Sequence, residues 1–163
     1  MELWDAYTAD GTPTGEILVR GEPIPAGRYH LVSEVLIRHR DGEWLLMQRD
    51  PNKDYCPGLW DASAGGSALA GEDSLTAAHR EVLEETDLTI RDLREFYHEI
   101  GDSYLFHYFI ATTDDDKAAV TLQPGETVDY RWVDTQTLQD LLGTVQCMHA
   151  RMLRMFETEL ENL

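Results

Sequence analysis

The run YLFHYFIAT, residues 104–112, is apolar at positions of both parities. Strand side chains alternate between two faces, so this segment has no face to give to water and must be covered on both sides. It predicts a central strand in a sheet with layers above and below. One cover is legible in LTAAHREVLEET, residues 75–86. At about 100° per residue, Leu75, Ala78, Val82 and Thr86 form a buried stripe, with Asp73 or Ser74 as the N-cap. Closing helices are predicted at TQTLQDLL and QCMHARMLRMFETEL. The second carries a packing stripe of Met148, Met152, Met155 and Phe156.

The remaining strands follow from alternation and turn residues. LWDAY and EILVR flank an Asp10-Gly11 turn, and LVSEVLIRH and EWLLMQR flank Arg40-Asp41-Gly42. LREFYHEI precedes the central strand. A strand-like piece after the loop TTDDDKAA and a short strand at YRWVD follow it. GEPIPAGRYH and DPNKDYCPG are loops. Strands with a few helices in mixed order predict an α/β (α+β) sandwich, and 163 residues without a linker predict one domain over 1–163.

Composition narrows the partners. The formal net charge of −18 argues against broad contact with nucleic acid or an anionic membrane, which need basic surfaces. No apolar run approaches a membrane span, and the acidic start lacks the basic n-region of a signal peptide. Cys56 and Cys147 lie far apart and outside any metal-type pair, so both read as free thiols in a reducing, cytoplasmic setting.

HREVLEET raises the chemical question. Glu81, Glu84 and Glu85 fall in one arc about 100° wide beside the apolar stripe, with Ala77 leaving room next to them. No lysine or arginine shares that arc, and like charges at these spacings repel by a few tenths of a kcal/mol per pair. Converging carboxylates suit a hard divalent cation such as Mg²⁺. Spacing alone leaves such a site and a solvated acidic face both open.

The upstream residues add a pattern. Gly66 is followed after five residues by Glu72, and after seven more by Arg80-Glu81-Val82-Leu83-Glu84-Glu85-Thr86-Asp87-Leu88. This resembles the signature of the Nudix hydrolases, with one departure: Asp87 stands where that family usually has glycine. The glycine would close the helix in a left-handed conformation, which Asp tolerates better than most residues. The flanks PGLWDASAGG and GETVDYRWVDTQTL resemble the same superfamily, and the N-terminal segment resembles a subgroup close to isopentenyl-diphosphate isomerases.

The resemblance implies a Nudix-type α/β/α sandwich with a mixed central sheet and an N-terminal β-hairpin extension. It implies hydrolysis of a diphosphate linkage by water attack at phosphorus, assisted by Mg²⁺ or Mn²⁺. Glu81, Glu84 and Glu85, with the Gly66 carbonyl, would hold metal; Glu72 and Arg80 would pair structurally. Glu84 and Glu126 are both candidates for the general base. Arg49 and Lys53 suit phosphate contacts, and either also suits a plain surface position. His30 is a lone histidine at a strand start, more often structural than ligating. Tyr55, Trp60 and Tyr104 suit either base stacking or the core. The expected partner is a small diphosphate, with homodimerisation by analogy. The alternatives are an isomerase and a non-catalytic nucleotide-binding domain. Gly65 stands where isomerases carry a cysteine, Asp102-Ser103-Tyr104 aligns where they carry Glu-x-Glu, and all box glutamates are present.

Overall fold

The computed structural model describes residues 1–142 and residue 144. The expected helix over 146–160 and its methionine stripe lie outside them. The N-terminal hairpin forms as a separate two-stranded sheet of β1 (Leu3–Tyr7) and β2 (Pro13–Val19). Its turn is closed by the Gly11 N–H donating to Thr8 O at 3.0 Å, with Gly11 at φ 79°.

The main sheet holds β3 (His30–His39), β4 (Trp44–Arg49), β5 (Trp60–Asp61), β6 (Ala64–Ser67), β7 (Arg91–Ile100), β8 (Tyr104–Thr113) and β9 (Thr127–Val133). β8 is interior, one strand in from the β7 edge: it runs parallel to β3 on one side and antiparallel to β7 on the other. Helix α1 (Ser74–Thr86) and helix α2 (Thr135–Leu142) cover opposite faces. Val35, Ile37, Leu45, Met47, Phe109 and Ala111 pack with Ala78 and Val82 of α1. Leu36, Trp44, Leu46, Tyr108 and Ile110 pack with Leu138 of α2. This is the α/β/α sandwich, and the two-sided apolar strand is covered on both faces as expected, though it lies beside the edge strand β7 and β3 holds the middle of the sheet.

β3 and β4 are sequential but pair only at Arg38↔Trp44. Beyond that point β6 lies against β3, while β5 and β9 lie against β4. The parting of β3 and β4 opens a cleft and brings β6, the segment before α1, to its wall. The strand expected after TTDDDKAA does not form. Lys117–Ala119 is a 3-10 turn, Val120 is buried in the α1-side core, and the Thr121 N–H donates to Thr86 O at 3.0 Å rather than to a ladder.

Candidate active site

α1 is fixed at both ends by its own sequence. Asp73 accepts from the Thr76 N–H at 2.8 Å as N-cap. Asp87 closes the helix at φ 56°, ψ 19°, donating its N–H to Leu83 O at 3.0 Å. The buried face differs from the expected stripe: Leu75 is exposed, whereas Ala77 is buried against Leu31, Ala68 and Leu105. The two alanines let α1 approach β6 closely, which rotates the buried face toward Glu81. Glu81 is only 9% exposed. A Cβ at Gly66 would stand 2.3 Å from Glu81 Oε1, so this backbone position and this carboxylate require each other.

Arg80 organises the acids. Its Nε donates to Glu72 Oε1 at 2.9 Å, Nη2 to Glu72 Oε2 at 2.9 Å and to Ser67 O at 3.0 Å. Glu72 Oε2 also accepts the Leu69 N–H at 2.9 Å, so the pair ties the loop before the helix to the helix itself. Arg80 Nη1 reaches Glu81 Oε1 at 2.7 Å and Glu84 Oε2 at 3.2 Å. Two of the three arc glutamates, Glu81 and Glu84, therefore share a cation, contrary to the expectation from the helical arc. Arg80 lies outside that arc, and its long stem carries the guanidinium into it.

That compensation is partial. Burial pushes the Glu81 carboxyl above the usual range against the opposing pull of Arg80. Burial raises Glu85 further, with Glu81 and Glu126 adding repulsion and one backbone N–H, of Gly65, opposing it. Among the described residues no three acidic, histidine or cysteine side chains form a ready metal cage. The glutamates line the cleft instead, exposed progressively from Glu81 and Glu85 to Glu84. An open set of carboxylate oxygens with part of its charge uncompensated fits a hard divalent cation that keeps waters and shares its sphere with substrate phosphates.

The cleft has a volume of about 970 Å³ and is lined by residues from the parted strands, α1, two loops and the N-terminal hairpin. Arg49 and Lys53 both line it, and both are paired. Arg49 Nη1 donates to Asp61 Oδ2 at 3.1 Å and Nε to Tyr55 O at 3.0 Å. Lys53 forms an ion pair with Glu126, so a proposed phosphate contact and a proposed base hold each other. The Asp50 N–H donates to Glu126 O at 2.9 Å, fastening the 50–58 loop to the segment bearing Glu126.

His30 also faces the cleft, buried between Trp4, stacked at 4.0 Å, and Tyr104, edge-on at 4.9 Å. Burial pulls its pKa down to about 4, so the ring stays neutral. Tyr55 and Tyr104 line the cleft, whereas Trp60 packs against the α2-side core with Arg131 over its ring at 4.0 Å.

Several cleft residues escaped the sequence reading. Trp4 and Glu2 come from the hairpin end, with Trp4 Nε1 donating to Glu2 Oε1 at 2.8 Å and Arg20 pairing with Glu2 at 2.6 Å. Glu34 and Asp61 form the acidic floor. Glu34 left only a weak mark in the sequence: it is an acidic residue at the parity of Val32 and Leu36 in β3.

The NUDIX domain pattern matches residues 28–156. An uncharacterised Nudix hydrolase of Listeria monocytogenes is 38% identical over 145 residues, covering 86% of this chain and 85% of that protein. An isopentenyl-diphosphate Δ-isomerase of Photorhabdus laumondii is 30% identical over 125 residues, 72% of this chain and 69% of that protein. The crystal structure of DR0079 from Deinococcus radiodurans superposes with TM-score 0.76 at 17% identity, covering 96% of this chain and 98% of that one. With the glutamate-bearing helix, its glycine contact and the matching fold, this chain belongs to the Nudix family as a Nudix hydrolase.

Proposed function

We propose that the protein, as a single domain over residues 1–163, uses Mg²⁺ or Mn²⁺ to hydrolyse a diphosphate linkage in a nucleoside diphosphate derivative or related small molecule. The observation that carries this is the contact between Gly66 and the Glu81 carboxylate, with Glu84 and Glu85 beside it in the cleft. The metal, when bound, supplies neutralisation of phosphate charge. Glu81, Glu85 and the Gly66 carbonyl would hold it, with Glu84 joining directly or through water. Glu84 and Glu126 are the two groups suited to take the proton from the attacking water at phosphorus. Glu84 is the more exposed and is oriented by Arg80; Glu126 is held by Lys53. Arg49 and Lys53 would meet phosphate oxygens by sharing donors with Asp61 and Glu126.

The partner is a small molecule rather than nucleic acid or a lipid surface, in keeping with the net charge of −18, and the setting is the cytoplasm. Isomerase chemistry is disfavoured by local space. A Cβ at Gly65 would sit 3.0 Å from both Glu34 Cγ and Ser33 O, so the cysteine of that pattern would need its neighbours to shift, and Cys56 does not line the cleft. Mg²⁺ titration followed by thermal unfolding tests the metal assignment. Wild type should gain melting temperature with Mg²⁺ and Glu85→Gln should gain much less; equal gains would remove Glu85 from the site.

A further inference from the structure

We propose that Glu34 determines specificity in this cleft, its carboxyl taking the N–H edge of a planar heterocyclic base carried by the diphosphate substrate. This rests on the hydrolase reading above and adds the part of the substrate that the box glutamates do not touch.

Three observations converge on Glu34. It lines the cleft, yet its Oε2 is sealed from solvent and has no hydrogen-bond partner among the described residues. A buried carboxyl without a donor is costly, and it accepts a hydrogen bond in either protonation state. Its neighbours do not supply that donor. Asp61 and Glu99 bear on it as like charges, and the Arg49 guanidinium, whose charge favours the ionised carboxyl, donates its hydrogen bonds to Asp61 and Tyr55 O. The other cleft cations among the described residues are likewise paired: Arg20 with Glu2, Lys53 with Glu126 and Arg80 with Glu72. Among the described residues no donor is left for this carboxyl, and a ligand that meets its cleft-facing edge brings one.

The surroundings favour a flat one. The parallel register sets His30, Val32 and Glu34 beside Tyr104, Phe106 and Tyr108. These three rings form a row, with Tyr104–Phe106 centroids 5.5 Å apart and Phe106–Tyr108 centroids 6.0 Å apart, the latter pair near-parallel at 12°. Tyr104 and Phe106 line the cleft, so an aromatic strip leads to the carboxyl. A planar base over such a strip gains stacking, and its N–H edge meets Glu34. The register also sets Glu34 opposite Gly65, next to Gly66, so one short wall carries both the proposed base contact and the catalytic end.

The test compares wild type, Glu34→Gln and Glu34→Leu on ADP, GDP, CDP, UDP, purine riboside diphosphate (a base without N–H), ribose 5-diphosphate and 2-aminoethyl diphosphate. Each is measured for kcat/KM with Mg²⁺ and for binding by calorimetry, and thermal unfolding reports folding. Wild type should prefer at least one N–H-bearing nucleotide over purine riboside diphosphate and ribose 5-diphosphate. Glu34→Leu should reduce that preference about 100-fold. Glu34→Gln, which keeps an acceptor oxygen and the side chain's shape, should retain part of it. Equal losses on every compound, or an unchanged preference in both variants, would overturn the assignment. A Glu34-dependent preference for 2-aminoethyl diphosphate alone would overturn the base in favour of an alkylammonium group. Wild type that neither binds nor discriminates among these compounds would also overturn it. Glu34-dependent binding without cleavage would leave it standing and overturn only the hydrolase reading.

Discussion

Gly66 and Glu81 are matched so closely that a methyl group on residue 66 would lie 2.6 Å from the Glu81 carboxyl carbon. Such a contact forces the carboxylate aside, because the glycine backbone is fixed by its pairing with Ser33 on β3. Gly66→Ala should therefore fold but lose activity by about 100-fold, the scale on which a misplaced group of roughly an ångström is felt. Steady-state kinetics beside a circular-dichroism melt checks this; full activity would mean that the Glu81 position is not used.

Arg80 is the hub between the loop and the helix. Arg80→Met leaves Glu72 and Glu81 without their cation in a partly buried setting. It should cost about 2–3 kcal/mol in urea unfolding, scaled down from a fully buried pair because the Arg80 side chain is 21% exposed. Arg80→Lys should recover little, since one ammonium cannot serve Glu72, Glu81 and Ser67 O together.

Asp87 pays a conformational cost at φ 56° that glycine does not. Asp87→Gly should stabilise the protein by about 0.5–1 kcal/mol, the left-handed penalty reduced by the larger unfolded-state freedom of glycine. Turnover should be unchanged, because Asp87 lies outside the cleft lining. Chemical denaturation and an activity assay read the two halves separately.

Glu34 gives a pH signature. Burial first, then Asp61, pushes its folded pKa up to about 8 from an ordinary carboxylate value. The folded state thus holds a proton that the unfolded state releases between those two values. The associated stability is present in full below the ordinary value and is lost as pH rises through about 8. Metal-free wild type should lose melting temperature relative to Glu34→Gln as pH is raised from 5 to about 8. Parallel curves for the two proteins would contradict this.

How much of this was legible in the sequence depended on whether a residue acts along the chain or across the fold. The two-sided strand at 104–112 announced β8 as a strand covered on both faces, and Gly66, Glu72 and the Arg80-to-Glu85 run announced the helix and its loop, because those signals are local. The buried face of α1 was misjudged at Leu75 and Ala77, since the close approach of β6, permitted by Gly66, decides it. The pairing of Lys53 with Glu126 joins loops 73 residues apart in the chain and leaves no mark on spacing. Glu34 was missed for another reason. An acidic residue in a strand that also holds Ser33 and Arg38 reads as noise until Asp61 and the aromatic row of β8 are seen around it.

The most direct test of the account is ³¹P NMR of a panel of diphosphate compounds, including nucleoside diphosphates and triphosphates, ADP-ribose, a dinucleotide and isopentenyl diphosphate. Each is incubated with wild type and with Glu85→Gln, in Mg²⁺ and again in EDTA. Wild type should cleave at least one member in Mg²⁺, and EDTA and Glu85→Gln should each abolish that cleavage. Conversion of isopentenyl diphosphate with its diphosphate intact, or cleavage that survives both EDTA and Glu85→Gln, would contradict it.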